Sequence, residues 1–128
     1  MKKKILVVED EKALCLLYKE VLTEDGYDVT TVPGAEAALE AMAKERFDLI
    51  VTDIRMPGPS GIDLVTRVLC RQPDIPIIIN TAYQSYKNDF QTWAADAYVV
   101  KSSSLEELKS KIKELIERPH VPTQKRPD

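Results

Sequence analysis

Two stretches decide how this chain reads: Ile5-Leu6-Val7-Val8-Glu9-Asp10-Glu11 near its start and Leu49-Ile50-Val51-Thr52-Asp53 near its middle. Each is an unbroken apolar run that stops at acidic residues. A run of this length without alternation is the pattern of a strand buried on both faces of a parallel sheet.

Working outward, three further runs fit the same scheme. Residues 75–79 lead into Asn80 and Thr81, Ala97–Val100 leads into Lys101, and Asp28–Val32 is a weaker fifth strand. Helical patterns fill the intervals. Residues 12–24 carry Leu14, Leu17 and Val21 at helix spacing, and Gly26 is a stop signal. Residues 35–44 carry Ala35, Ala38, Leu39 and Met42, and residues 62–71 carry Leu64, Val65, Val68 and Leu69 before Pro73. Residues 105–117 carry Leu105, Leu108, Ile112, Leu115 and Ile116, opened by a capping-box pair, Ser104 and Glu107. Residues 85–95 are the least regular, with Phe90 and Trp93 one turn apart. Strands alternating with helices predict an α/β, (βα)5 doubly wound fold. Right-handed crossovers put helices on both faces of a five-stranded parallel sheet of order 2-1-3-4-5, the flavodoxin-like arrangement. One domain over residues 1–118 is expected, with 119–128 as a mobile tail.

Composition narrows the function classes. The chain has 128 residues, enough for one core, and a formal charge of -3, so no basic excess marks a nucleic-acid surface. The run at 5–8 is shorter than the roughly 7–15 apolar residues of a secretory core, and none approaches the roughly 18 of a membrane span. These features place the chain in the cytoplasm without membrane contact. Cys15 and Cys70 lack metal or redox spacing and sit within helical patterns, so both are expected as buried free thiols.

In an open α/β sheet, ligands bind beyond the carboxyl ends of the strands, where the strand order reverses. Glu9 and Asp10 follow strand 1, Asp53 follows strand 3, Thr81 ends strand 4 and Lys101 follows strand 5. That gathers three carboxylates, a hydroxyl and an ammonium around one cleft. Clustered carboxylates repel unless a cation or protons intervene. Oxygen ligands without His or Cys favour Mg²⁺ or Mn²⁺. Such a site suits phosphoryl transfer to a carboxylate: the metal, the Lys and the hydroxyl take the transferred oxygens.

From about residue 4 to 117 the chain resembles the response-regulator receiver family. The resemblance is carried by residues 5–11, by Asp53-Ile54-Arg55-Met56-Pro57-Gly58-Pro59-Ser60-Gly61, by Thr81-Ala82-Tyr83 and by Lys101. It implies that Asp53 is the phosphoacceptor. Asp10, Asp53 and the backbone carbonyl of Arg55 would bind Mg²⁺, with Glu9 assisting through water. Thr81 and Lys101 would hold phosphate oxygens, and Tyr98 matches the family's switch aromatic. The implied function is a phosphorylation-dependent signalling switch with self-catalysed transfer and weak autophosphatase activity, not a turnover enzyme. Its donor would be a sensor histidine kinase or a histidine phosphotransfer protein. The surface of the fourth helix, fifth strand and fifth helix would dock a downstream partner or a second copy.

Some positions depart from the family pattern. Ser102 follows Lys101 where Pro is common, and a cis bond there costs about 2.5–4 kcal/mol without Pro. Asp96 stands where Gly is common, and residues 81–101 are slightly fewer than usual. Competing classes are a receiver that only docks, a metal-dependent phosphatase or nuclease on a similar sheet, and a flavin binder. Arg55 opposes the second, which wants an Asp two residues after Asp53. Glu9-Asp10-Glu11 opposes the third, which wants a phosphate-binding loop there.

Overall fold

The computed structural model describes residues 2–53, 67–68, 70–72, 74–82, 96–101 and 105–117. Its strands are β1 (Lys4–Val8), β2 (Asp28–Val32), β3 (Leu49–Thr52), β4 (Ile77–Thr81) and β5 (Ala97–Val100), and its bounded helices are α1 (Lys12–Glu24), α2 (Ala35–Lys44) and α3 (Glu106–Glu117). Arg67, Val68, Cys70 and Arg71 are helical too. The sheet is wholly parallel in the order β2-β1-β3-β4-β5, as the sequence predicts.

Side chains alternate between the two faces along each strand. Ile5, Val7, Leu49, Val51, Ile78 and Val99 join Tyr18 and Leu22 of α1 and Leu108, Ile112 and Leu115 of α3 in one apolar cluster. Leu6, Val8, Ile50, Ile77, Ile79 and Tyr98 join Ala35 and Ala38 of α2, together with Phe47 and Val68, in the other. Burial on both faces is why the strands read as continuous apolar runs.

Three expectations are corrected. First, the buried stripe of α1 runs through Tyr18 and Leu22, with Leu14 partly buried, rather than through Leu17 and Val21. That stripe has a strict spacing of four, so it turns Leu17 outward, where it is 41% exposed beside Leu16 at 71%. Second, β4 lies two residues later than the apolar run suggested, at Ile77–Thr81. Pro76 has no N–H for the ladder. The Ile77 N–H is instead taken by Asp96 Oδ2 at 2.8 Å, while the Asp96 N–H donates to the Ile77 carbonyl at 2.8 Å. Asp96, at a position where the family favours Gly, therefore fastens the start of β4 to the start of β5. Third, both cysteines are unpaired as expected but neither is buried: Cys15 is half-buried and Cys70 exposed.

The helix stop at Gly26 holds. Its φ of 98° is in the left-handed region, which Gly adopts without penalty. The Tyr27 N–H reaches the Leu22 carbonyl at 3.2 Å and the Gly26 N–H reaches Thr23 at 3.0 Å. This is the paired closure of a Schellman motif, and it sends the chain directly into β2. The third predicted helix lies mostly outside the described residues, as do the start of the last helix at Ser104, the irregular segment with Phe90 and Trp93, and the tail. No helix among the described residues is long and apolar enough to cross a membrane.

Candidate functional site

The ladder bonds bring the strand ends together. The Glu9 N–H donates to the Val32 carbonyl at 2.9 Å, the Asp53 N–H to Val8 at 3.3 Å and the Lys101 N–H to Thr81 at 2.7 Å. Alternation then gives the three side chains one direction. Glu9 follows Ile5 and Val7, Asp53 follows Leu49 and Val51, and Lys101 follows Ala97 and Val99, all residues of the α1/α3 face.

Lys101 Nζ lies 2.7 Å from Asp53 Oδ2 and 2.7 Å from Glu9 Oε1. The Glu9 and Asp53 side chains are only 3% and 8% exposed and that of Lys101 16%, so solvent screens these contacts weakly. Burial pulls the Lys101 ammonium towards losing its proton, but the hydrogen bonds to Asp53 and Glu9 outweigh it and hold the pKa well above the usual lysine range. The Glu9 carboxyl is pushed up by burial, against the pull of Lys101 and of the Glu11 N–H that donates to Glu9 Oε2 at 3.1 Å. Both shifts favour the protonated form, yet the ion pair favours only one of them. Two carboxylates acting on one ammonium keep Lys101 protonated.

Asp10, the residue after Glu9, is exposed. It is not the N-cap of α1: that residue is Glu11, which makes no side-chain capping bond. Thr81 is fully buried as the last residue of β4, and Tyr98 is 6% exposed within the α2-side cluster. Tyr98 is therefore a core aromatic in this structure, and any switching role starts from the buried position. Arg55 and the Lys101-Ser102 bond lie outside the described residues. The structure thus joins Glu9, Asp53 and Lys101 in direct contact, leaves Asp10 exposed next to Glu9 in the chain, and ties Thr81 to Lys101 through the backbone.

Two polar contacts beside this cluster escaped the sequence reading. The Cys15 thiol donates to the Glu9 carbonyl at 2.9 Å, and Asn80 Nδ2 donates to Tyr18 Oη at 3.0 Å. The second had a signal. Asn80 shares the parity of Ile78 in a strand buried on both faces, so its amide requires a buried partner.

Comparison with known proteins agrees with the geometry. The family model described as the response regulator receiver domain matches residues 5–113. The two-component response regulator PhoP of Pseudomonas aeruginosa is 38% identical over 117 residues, covering 90% of this chain and 52% of that protein. This chain therefore spans about half the length of that curated relative. The response regulator TrrA of Thermotoga maritima, solved with Mg²⁺ and BeF, is 44% identical with a TM-score of 0.83 over 88% of this chain and 98% of its own. TrrA solved with the histidine kinase ThkA gives 44% identity and a TM-score of 0.81 over 88% of this chain and 97% of that one. With an acidic cluster at the strand ends, a lysine bridging two carboxylates and a family match across nearly all of its length, this chain belongs to the response regulator receiver domains.

Proposed function

We propose that the chain is a phosphorylation-controlled switch of a two-component system that accepts a phosphoryl group on Asp53 from a phosphohistidine donor. One observation carries this: the Asp53 carboxylate, in a residue only 7% exposed, is held at 2.7 Å by the Lys101 ammonium at the carboxyl end of the sheet. A buried carboxylate oriented by one ammonium is poised as a nucleophile.

In the transfer, an Asp53 oxygen forms the new bond to phosphorus as the bond from phosphorus to the donor imidazole nitrogen breaks. The imidazole leaves with the electron pair and takes up a proton. Lys101 follows the negative charge from the carboxylate to a phosphoryl oxygen, and the Thr81 hydroxyl donates to another. The donor set fits a hard divalent cation: Glu9, Asp10 and Asp53 are three carboxylates against one ammonium, and all offer oxygen. Among the described residues no three acidic, histidine or cysteine side chains could hold a cation. Mg²⁺ keeps several waters and uses one or two protein carboxylates, so it does not need all three at once. Bound by Asp10, Asp53 and the Arg55 carbonyl, with Glu9 acting through water, it would neutralise charge on the transferred oxygens.

The donor is a sensor histidine kinase or a histidine phosphotransfer protein; the kinase complex of the relative TrrA supports the first. Hydrolysis of the aspartyl phosphate in the same site resets the switch, so the catalysis acts on the chain itself. The face made by the segment before β5, β5 itself and α3 would carry the signal to a downstream partner or a second copy. Incubation with acetyl phosphate and Mg²⁺ should add one phosphoryl mass to the wild type and none to Asp53→Asn. Equal labelling of both proteins would refute the assignment, and no labelling of the wild type would favour a docking module.

A further inference from the structure

We propose that Tyr18, acting through Asn80, is a positioning residue for phosphoryl transfer: it fixes the end of β4 so that Thr81 and Lys101 meet Asp53 in reactive register. The proposal rests on the phosphoacceptor reading above and adds to it a pair outside the acidic cluster.

The placement follows from the sheet. Thr52 is paired with Ile79, so one residue further Asp53 comes level with Asn80. Asn80 shares the parity of Ile78 and faces α1, as Asp53 does. Tyr18 reaches it from α1, and its phenol senses Lys101, Glu9 and Asp53 electrostatically. The pair thus lies beneath the reactive cluster.

A continuous chain of contacts leads from it to the acceptor. Asn80 Nδ2 donates to Tyr18 Oη at 3.0 Å, the next residue's carbonyl accepts the Lys101 N–H at 2.7 Å, and Lys101 Nζ reaches Asp53 Oδ2 at 2.7 Å. That backbone bond ties Lys101 to the end of β4, so a shift of the β4 end would move Thr81 and Lys101 together.

Packing alone does not explain the pair. Tyr18 is 3% exposed and Asn80 4%, on a face that also packs Val7, Leu22, Val51, Ile78 and Val99. Two apolar side chains of the same shape would fill the same space without burying a phenol and an amide, and such exchanges are nearly neutral for stability. A hydrogen bond adds what apolar contact lacks, a fixed direction and distance between α1 and the last turn of β4. Misplacement of a catalytic group by about 1 Å can lower a rate roughly 10²-fold.

The test compares labelling rates with acetyl phosphate at saturating Mg²⁺ against urea midpoints, using the full chain. Tyr18→Phe should label only on Asp53 but at least threefold more slowly, with little change in the Mg²⁺ concentration for half-maximal rate. Tyr18→Phe with Asn80→Leu should recover the urea midpoint and stay slow; recovery of rate together with stability would make the pair structural only and overturn the proposal. A cycle with Thr81→Ala decides independently of stability: Tyr18→Phe should cost less rate in that background, where only Lys101 is left to misplace, whereas equal losses in both would overturn it. Wild-type speed in Tyr18→Phe would also overturn it. Failure of the wild type to label on Asp53 would instead remove the underlying reading.

Discussion

Lys101 Nζ sits 2.7 Å from Asp53 Oδ2, although the two residues are 48 positions apart in the chain. The same nitrogen closes on Glu9 at 2.7 Å, so one ammonium stabilises two buried carboxylates. That arrangement makes the site's stability and its chemistry depend on one group.

Removing that ammonium should therefore destabilise the metal-free protein. Breaking a buried pair leaves uncompensated charge and costs about 3–5 kcal/mol. Lys101→Met should lower the urea midpoint accordingly in chelator, and Mg²⁺ should restore part of the loss. The Lys101 pKa is raised, so the pair's contribution is fully present below its ordinary value of 10.5 and declines only as pH rises beyond it. The difference between wild type and Lys101→Met should be flat from neutral pH to about pH 10; a difference that vanishes below pH 9 would contradict this.

Asp10 offers the opposite case. It is exposed and Glu11, not Asp10, is the N-cap of α1. Asp10→Ala should weaken Mg²⁺ binding by at least roughly 10-fold, read by calorimetry, and leave the metal-free protein as stable or slightly more so, since like charges no longer share the cleft. Loss of apo stability would mean that Asp10 has a structural role the geometry does not contain.

Thr81 should couple the site to the surface. A charge-assisted hydrogen bond from its hydroxyl to a phosphoryl oxygen is worth about 1.5–3 kcal/mol, enough to shift a population roughly ten- to a hundredfold. Phosphorylation should change Trp93 fluorescence or amide shifts across residues 82–100, and Tyr98, already in the core, should report changed packing rather than entry from solvent. Thr81→Ala should accept phosphate and lose most of these changes. A wild-type response from that variant would place the coupling elsewhere.

The two thiols should separate by rate. Cys70 is exposed, whereas burial and then the charges of Glu9 and Asp10 push the Cys15 thiol up. The thiolate is the reactive form, so a maleimide should modify Cys70 first in the native protein, and both residues at similar rates only in denaturant. Faster reaction at Cys15 would contradict the described packing.

What the sequence settled by itself is what periodicity and residue chemistry encode. Doubly buried strands require unbroken apolar runs, so β2 and β5 lie at the residues read from sequence, and β1 and β3 each gain one residue. The carboxylates after β1 and β3, and the lysine after β5, follow from strand ends sharing one edge. The rotation of α1 was not legible, because Leu14, Leu17 and Val21 also satisfy helix spacing and only packing against the sheet selects Tyr18 and Leu22. The start of β4 was equally hidden, since Asp96 binds Ile77 across 19 residues. The bridge of Lys101 to both Glu9 and Asp53, and the bond from Asn80 to Tyr18, join residues far apart in the chain. Spacing along a chain records which face a residue occupies; which polar groups complete one another in a dry interior is fixed only when the sheet and its helices close around them.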